Sequence, residues 1–256
     1  ETRRQGWHLH VTWRAAMSGA RVTPEKTLAS FDWASIEREI DEVGCAITPP
    51  LFDAEQCEQL AKSYDDEALF RSKVVMARHG FGRGEYKYLA YPLPDPIARL
   101  RSALYEQLAP IANRWEQALG REGRFPPTHA EFLETCHAAG QARPTPLLLK
   151  YGPGDFNCLH QDLYGAHVFP LQMAVLLSRP GEDFTGGEFV LTEQRPRMQS
   201  RVEVAPLGLG QGVIFAVNER PVRGAKGIYR VKMRHGVSRL RSGTRHTLGI
   251  ILHDAT

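Results

Sequence analysis

The feature that most constrains the fold of this sequence is a change of hydrophobic period after Pro144. Beyond that residue, apolar and polar side chains alternate in short runs separated by Gly, Pro, Asn and Asp, which is typical of β-strands joined by turns. Strands are predicted over residues 146–151, 169–177, 187–193, 201–206, 212–217, 229–235 and 245–252. Short antiparallel strands at this spacing favour a jelly-roll barrel.

The residues before Pro144 have apolar side chains at helical spacing instead. Asp32 and Asp53 are suitable N-terminal caps, and Gly44 can end the first helix. Helices are predicted over residues 32–44, 53–64, 96–120 and 128–140. The predicted fold class is therefore α+β: a double-stranded β-helix (jelly roll, cupin-like) with N-terminal helices packed on its outer face.

Hydropathy and cysteine usage exclude two kinds of protein. No apolar run approaches the roughly 18 residues that a membrane span requires, so we expect no membrane partner. The cysteines form no C-x-x-C pair, which favours reduced thiols in a cytoplasmic protein over a disulfide framework or a zinc site. These cysteines are Cys45, Cys57, Cys136 and Cys158.

The charge is small overall but unevenly distributed. A formal net charge of +3 neither demands nor excludes a polyanionic partner, yet many cations lie between residues 220 and 246. Arg230, Lys232 and Arg234 alternate with inward-facing residues of a predicted strand, so we expect them to form an outer basic stripe. Such a stripe contacts phosphate groups or is simply a solvated face.

Two motifs carry the chemistry. His160 and Asp162 are two residues apart, so on an extended segment their side chains leave the same face. His235 ends a predicted strand that can return to the same lumen. Two imidazoles and one carboxylate cover one face of a ferrous ion and leave the other positions open, which is the ligand set of non-haem iron oxygenases.

A second group of residues fits a keto-acid cosubstrate. Arg245 offers a permanently charged fork for a far carboxylate, and we expect it to face His235 across the barrel. Thr247, two residues along the same strand, can donate its hydroxyl to that carboxylate. Tyr151 either donates its phenol to the cosubstrate or is a core aromatic residue.

The last predicted strand indicates how the two halves fit together. Arg245, Thr247 and Gly249 alternate with Leu248 and Ile250, so a polar face lines the lumen and an apolar face meets the helices. We expect one integrated domain. Its parts are an N-terminal extension that is disordered or foreign to the natural protein (1–24), a helical region with a substrate-side loop at 78–91 (25–142), and a jelly-roll catalytic core (143–256).

Longer stretches of the chain resemble known enzymes. The segment from Tyr151-Gly-Pro-Gly to Leu159-His-Gln-Asp resembles the metal-motif region of AlkB-type nucleic-acid demethylases. His235-Gly-Val with Gly243-Thr-Arg resembles the second motif of the iron(II)/2-oxoglutarate oxygenase superfamily, which includes prolyl hydroxylases. A bacterial group linked to oxidative repair of alkylated DNA is similar over further segments, at residues 70–76, 80–88, 186–189 and 195–201.

The resemblance implies a dioxygenase that uses iron(II), 2-oxoglutarate and O₂, with ascorbate as a supporting reductant. His160, Asp162 and His235 would be the catalytic metal ligands, and Arg245, Thr247 and Tyr151 would bind the cosubstrate. The chain departs from the AlkB pattern at residues 163–165, where acidic residues are replaced by Leu-Tyr-Gly, and at Ile251, where a second arginine is expected.

The substrate side is less constrained. The segment Phe81–Tyr88 mixes glycines, aromatic rings and cations, so it can stack an extruded base or form a surface hairpin. Candidate substrate residues are Arg83, Tyr86, Tyr88 and Arg201. Three functions stay open: a nucleic-acid dealkylase, a hydroxylase of a protein residue or small metabolite, and a jelly-roll binding protein without turnover. The oligomeric state is also open.

Overall fold

The computed structural model describes residues 23–122 and 125–256. The predicted extension over residues 1–24 therefore lies almost entirely outside the described residues. The described chain forms five α-helices and fifteen β-strands. The helices are α1 (Pro24–Ala29), α2 (Trp33–Val43), α3 (Ala54–Lys62), α4 (Asp95–Ala118) and α5 (His129–Ala138).

Local capping explains where three of these helices begin. The Asp32 side chain accepts a hydrogen bond from the backbone of α2, and Gly44 ends α2 in the left-handed region at φ 89°. Asp53 with Gln56 forms a capping box before α3, and Thr128 begins α5 in the same way. Each box satisfies backbone donors that the first helical turn leaves unpaired. The four predicted helices are confirmed within a few residues.

The strands follow the chain in two main sheets and one small pair. They are β1 (Cys45–Pro50), β2 (Phe70–Val75), β3 (Gly82–Arg83), β4 (Glu85–Leu89), β5 (Leu147–Tyr151), β6 (Phe156–His160), β7 (Leu171–Leu176), β8 (Phe184–Gly186), β9 (Phe189–Gln194), β10 (Arg201–Ala205), β11 (Gln211–Ala216), β12 (Glu219–Gly224), β13 (Gly227–Val237), β14 (Leu240–Gly243) and β15 (Arg245–Ile250). The larger sheet has the order β1-β11-β7-β15-β5-β4-β2. The second has the order β10-β9-β13-β6-β3, with β12 also paired to β13, and β14 pairs β8. All named pairs are antiparallel, as a jelly roll requires.

The prediction that the N-terminal half is mostly helical was incomplete. Strands β1 to β4 lie in it, and the predicted loop at 78–91 contains β3 and β4. Strand β1 has the sequence Cys-Ala-Ile-Thr-Pro-Pro, whose prolines are typical of turns, and it is defined by pairing with the distant β11. Strands β6, β8, β12 and β14 were also not predicted, because each depends on a partner rather than on a clear alternation.

A continuous apolar core joins the helices to the larger sheet. Leu104 and Leu108 of α4 belong to the same buried cluster as Leu248 and Ile250 of β15. Burial of such side chains contributes about 1.5–3 kcal/mol each relative to exposure. The expectation that helices cover the outer, apolar face of β15 is confirmed, whereas the division at residues 24/25 and 142/143 stays a prediction. Within residues 23–122 and 125–256, no helix is long and apolar enough to cross a bilayer.

Candidate metal and cosubstrate site

The pairing of β6 with β13 brings the two distant histidines together. His160 and His235 are direct partners in the register, and their ring centroids are 4.2 Å apart. Asp162 follows two residues after the end of β6. Its Oδ1 lies 3.5 Å from Nε2 of His160, and its Oδ2 lies 3.3 Å from Nε2 of His235. One ligand atom from each residue lies within 4.8 Å of the others, which is the compactness that a common ion requires.

The electrostatics of these three residues suit a cation. Burial raises the pKa of the Asp162 carboxyl, but the hydrogen bond and charge of His235, with the charge of His160, outweigh it and hold that pKa well below its usual range. Burial lowers the pKa of His235, and the charge of His160 lowers it further. At neutral pH the carboxylate is therefore ionised and the His235 imidazole is neutral, the forms that bind metals.

The orientation of His160 is set by its own strand. Nδ1 of His160 lies 2.8 Å from the carbonyl oxygen of Cys158. A donated Nδ1–H leaves Nε2 as the free lone pair, and it is Nε2 that faces Asp162. The side chain of His160 is 34% exposed, whereas that of His235 is buried, so the cluster opens to solvent on the His160 side.

Two further side chains contact the cluster. The sequence analysis did not identify either of them as a functional residue. The Tyr164 hydroxyl donates to Oδ1 of Asp162 at 2.8 Å, and Nε2 of Gln172 donates to Oδ2 at 2.6 Å. Tyr164 lies within the Leu-Tyr-Gly departure from the AlkB pattern. Gln172 interrupts an otherwise apolar buried strand, β7, and an amide in such a position is a signal that it has a polar partner.

The other end of the site is built on β15 and β5. Arg245 is only 2% exposed, its Nη1 donates to Oγ1 of Thr247 at 2.5 Å, and its Nε finds no hydrogen-bond partner among the described residues. Burial lowers the pKa of Arg245 to about 10, so the guanidinium stays charged at neutral pH. A buried cation with an unused donor is a site for an anion.

Tyr151 completes this end of the site. It is the register partner of Arg245, and the guanidinium lies 5.7 Å from the centre of its ring. Burial raises the pKa of the phenol, while Arg245 and the nearby Asn157 lower it to a smaller extent. The hydroxyl makes no hydrogen bond of ordinary geometry within the described part of the chain.

One cavity connects both ends. The three clustered residues, Arg245, Thr247 and Tyr151 all line a space of about 210 Å³. Its other walls are mainly apolar or aromatic and include Phe81, Tyr86, Leu147, Leu149, Phe189, Phe215, Val237 and Ile251. Apolar walls exclude water, and electrostatic interactions inside the site are stronger because water does not screen them. The donor set thus fits a divalent ion with open positions, and the unused donors fit the far carboxylate of a keto acid.

The four candidate substrate residues lie at different positions relative to the cavity. Tyr86 lines the cavity, whereas Tyr88 is buried behind it and forms an edge-to-face pair with Tyr86 at 5.3 Å. Arg83 lies on β3 with a side chain that is 64% exposed, 4.0 Å from Asp155. Arg201 lies on the edge strand β10, outside the described lining of the cavity. The substrate roles of all four residues stay predictions.

The predicted outer basic stripe is confirmed, since Arg230, Lys232 and Arg234 are exposed, but its charge is partly neutralised. Arg230 and Lys232 are exposed, but both lie within ion-pair distance of Glu219, at 3.5 and 2.5 Å. Arg220, from the same basic region of the sequence, is fully buried and paired with Glu193. Acidic partners that are distant in sequence or on the neighbouring strand therefore neutralise much of the charge that the linear pattern suggested.

Comparison with known proteins agrees with this geometry. A family model described as "Oxygenase, catalysing oxidative methylation of damaged DNA", named Oxygenase-NA, matches residues 84–255. An uncharacterized protein of Mycobacterium tuberculosis (strain ATCC 25618 / H37Rv) is 52% identical over 164 residues, which are 64% of this chain and 70% of that protein. The identical match is found in strain CDC 1551 / Oshkosh.

Solved structures share the fold at low identity. A prolyl hydroxylase from Trichoplax adhaerens, in complex with a hypoxia inducible factor oxygen degradation domain peptide fragment, has a TM-score of 0.53 at 14% identity, covering 87% of this chain and 88% of that one. A 2OG-Fe(II) oxygenase family oxidoreductase from Burkholderia pseudomallei has a TM-score of 0.50 at 16% identity, covering 88% and 92%.

The fold and the site define an iron(II)- and 2-oxoglutarate-dependent oxygenase. The chain belongs to the Oxygenase-NA family, whose model covers most of its length. The interpretation as a binding protein without turnover is therefore set aside. Iron(II), 2-oxoglutarate and O₂ together supply the oxidation that inserts an oxygen atom into a substrate C–H bond.

Proposed function

We propose that this oxygenase removes alkyl groups oxidatively from nucleic-acid bases. His160, Asp162 and His235 hold the iron, and Arg245 with Thr247 holds the far carboxylate of 2-oxoglutarate. Tyr151 donates its phenol to the same cosubstrate. The observation that carries the proposal is that both groups of residues line one cavity, and that Phe81, which also lines it, belongs to an exposed aromatic pair beside cations.

The size of the cavity argues for a large substrate that inserts one small group. A space of about 210 Å³ is smaller than the pockets of roughly 300–1,000 Å³ that enclose drug-sized ligands. The cosubstrate occupies part of it. The rest of the substrate then lies outside, against the residues of the mouth.

We place the segment Arg78–Arg83 at the mouth of the cavity, because Phe81 is one of the residues that line it. The ring of Phe81 stacks on His79, with centroids 5.3 Å apart and an interplanar angle of 23°, and Phe81 is 47% exposed. Arg78 and Arg83 flank the pair and are exposed. An exposed aromatic face stacks on bases, and neighbouring cations contact phosphate, so the segment suits an extruded or single-stranded nucleotide.

This segment is held firmly against the strand of the metal cluster. Gly82 pairs with Asn157, and the carbonyl oxygen of Phe81 accepts a hydrogen bond from the backbone of Cys158 at 2.9 Å. Cys158 is two residues before His160 on β6. A base stacked on Phe81 is therefore presented at a defined distance from the cluster, which is how positioning contributes to catalysis.

The expected reaction can be written with its atoms balanced. An N-methyl group, 2-oxoglutarate and O₂ give an N-hydroxymethyl group, succinate and CO₂. The N-hydroxymethyl group then loses formaldehyde and leaves the repaired N–H. The protein contributes orientation and exclusion of water through Arg245, the apolar walls and the mouth.

The proposal is tested with methylated single- and double-stranded oligonucleotides, by measuring succinate and formaldehyde in parallel. We expect equal amounts of both products, loss of both in His160→Ala, and no change in His167→Ala. Succinate formed with a different substrate, but no formaldehyde from any methylated base, contradicts the nucleic-acid assignment.

A hydroxylase of a protein residue or small metabolite is the second candidate. One observation favours it: Tyr164, rather than an acidic residue, follows the metal motif, and it is occupied by its contact with Asp162. Ile251, at the position of the expected second arginine, adds an apolar wall to the cavity. This function predicts a substrate that gains one oxygen atom without release of formaldehyde.

The cytoplasm remains the location we propose. All four cysteines are free, and three of them are buried. Reduced, unpaired thiols are usual in that compartment.

A further inference from the structure

Both oxygens of the Asp162 carboxylate are held by side chains that are not themselves candidates for metal ligation. Tyr164 donates to Oδ1 at 2.8 Å and Gln172 donates to Oδ2 at 2.6 Å. Asp162 is 6% exposed, so these contacts are made in a protected environment where hydrogen bonds to a charged group are strong. Together they restrict rotation of the carboxylate about its side-chain bonds.

The two donors approach from different parts of the fold. Tyr164 follows the metal motif in the chain, whereas Gln172 lies on β7 of the larger sheet. Gln172 is 4% exposed, and its Nε2 is also only 3.4 Å from Nε2 of His235. Its Oε1 is buried and, among the described residues, has no hydrogen-bond partner. A buried amide oxygen without a hydrogen bond lowers the free energy of unfolding. Its presence here indicates that Gln172 has a role at the cluster.

A second layer of contacts supports Tyr164. Its ring forms an edge-to-face pair with Tyr88 at 6.4 Å, and the guanidinium of Arg71 lies 4.4 Å from the centre of the Tyr88 ring. Nε of Arg71 donates to the carbonyl oxygen of Pro144 at 2.9 Å. Arg71 and Tyr88 lie on the neighbouring strands β2 and β4, so this support is built from the N-terminal strands.

We propose that Tyr164 and Gln172 form a cradle for the Asp162 carboxylate and are positioning residues for metal binding, with Arg71 and Tyr88 keeping the Tyr164 phenol in place. This inference rests on the proposed metal-binding role of His160, Asp162 and His235. It gives Tyr88 a role behind the site, in place of the substrate contact expected from the sequence. It also gives β2 and β4 a function that the jelly roll alone does not supply.

Cobalt(II) binding to the metal-free full chain tests the cradle, because cobalt absorbs visible light in a way that depends on its ligands. We compare the native protein with Tyr164→Phe, Gln172→Met and Arg71→Met. Tyr164→Phe and Gln172→Met remove the donors with little change of volume. We expect each to weaken cobalt affinity by about 10-fold or more, as loss of outer contacts to metal ligands commonly does, and to change the shape of the absorption bands.

Matched controls separate orientation from a general structural effect. Tyr229→Phe and Gln117→Met make the same chemical changes away from the cavity and should leave affinity and band shape unchanged. Arg71→Met alters no atom in contact with Asp162. A smaller loss of affinity in that variant, with a native circular dichroism spectrum, therefore supports the cradle even if one of the closer variants folds poorly.

The outcomes distinguish this inference from the proposed function. Native affinity and unchanged bands in both Tyr164→Phe and Gln172→Met overturn the cradle and leave the metal site intact. Failure of the native protein to bind cobalt, or binding that survives in His235→Ala, overturns the metal-binding role on which the cradle depends.

Discussion

Arg245 and Thr247 are joined across one face of β15 by a hydrogen bond of 2.5 Å, from Nη1 of the guanidinium to Oγ1 of the hydroxyl. Because the threonine oxygen accepts this bond, its own hydrogen stays free to be donated. Nε of Arg245 has no partner within the described part of the structure. The pair therefore presents two donors and a positive charge to the same cavity, which is the recognition pattern for a carboxylate.

Replacement of Arg245 by Ala should raise the KM for 2-oxoglutarate by about 30-fold or more, since truncation of one member of a buried charged pair costs about 2–5 kcal/mol. Arg245→Lys should recover only part of the loss, because an ammonium group cannot form the planar fork. The measurement is the initial rate of succinate formation against 2-oxoglutarate concentration. Arg241→Ala, on the exposed surface of β14, is the control; an unchanged KM in Arg245→Ala contradicts the assignment.

Removal of the Tyr151 hydroxyl should show whether this residue binds the cosubstrate or is only a core aromatic residue. In Tyr151→Phe we expect the free energy of unfolding to be unchanged or higher, because the buried phenol makes no hydrogen bond of ordinary geometry with any described residue. If the phenol binds the cosubstrate, affinity for 2-oxoglutarate should fall by about 5-fold, which corresponds to one hydrogen bond.

Tyr105→Phe is the matched control for that prediction. The Tyr105 hydroxyl donates to the carbonyl oxygen of Pro126 at 2.8 Å, so its loss should reduce stability by about 1 kcal/mol without affecting 2-oxoglutarate. Chemical denaturation and equilibrium binding of the cosubstrate give both quantities. Reduced stability with unchanged binding in Tyr151→Phe would identify a purely structural residue.

The glycine that joins the mouth to β6 should be intolerant of a side chain. Gly82 has φ 129°, and a Cβ there would lie 2.3 Å from the backbone oxygen of Phe156. In Gly82→Ala the pairing of β3 with β6 must open, so conversion of a methylated oligonucleotide should fall. Succinate formation without substrate should persist, because His160 lies at the other end of β6.

Gly80→Ala provides the comparison for this change. Gly80 also has a positive φ, of 71°, but no described atom lies within 4 Å of the position of an added Cβ. We therefore expect a smaller effect on oligonucleotide conversion. Equal activity of the two variants would mean that the attachment of the mouth segment to β6 is not required.

Stability should fall as the pH is lowered from 6.5 towards 4, in part because of His129. Burial, with a smaller contribution from the charge of Arg101, lowers the pKa of His129 to about 4. The unfolded chain binds this proton near pH 6.5 and the folded chain only near pH 4. The neutral ring therefore makes its full contribution to the free energy of unfolding above pH 6.5. At pH 5 we expect that contribution to be smaller by about 2 kcal/mol.

Thermal or chemical unfolding at pH 7.5 and pH 5 measures this effect in the native protein and in His129→Gln. The glutamine amide can still donate to the carbonyl oxygen of Leu252, which the His129 ring contacts at 2.8 Å. We expect a smaller loss of stability at pH 5 in that variant and the native pH dependence in His79→Gln, since His79 is exposed. The same pH dependence in all three proteins would refute the role of His129.

Seven strands of the jelly roll and four of the helices could be predicted because their signals are local. Alternation with period two marks a strand that buries one face, and residues such as Asp32, Asp53 and Gly44 mark helix ends. Strand β1 could not be predicted in this way. Its prolines oppose a strand locally, and pairing with β11 decides its conformation.

The metal cluster was predictable for the same local reason, since His160 and Asp162 occupy one side of an extended segment. Their meeting with His235 requires the register of β6 on β13, which no nearby residue encodes. Gln172 and Tyr88 show the limit most clearly. The sequence indicated a polar partner for Gln172 and a substrate contact for Tyr88, but only the tertiary contacts reveal that Gln172 donates to Asp162 and that Tyr88 packs on Tyr164.

Three features follow from the sequence alone: the types of metal ligand, the charged guanidinium of Arg245 and the alternating pattern of the strands. Each of them depends on side-chain chemistry or on neighbours a few positions away. The distances within the cluster came from the register of β6 on β13. The shared cavity and the cradle around Asp162 came from tertiary contacts, such as that of Gln172 on β7 with Asp162. Hydrogen bonds and electrostatic attraction act over a few ångströms, so residues far apart in sequence acquire a common function only when folding brings them into contact.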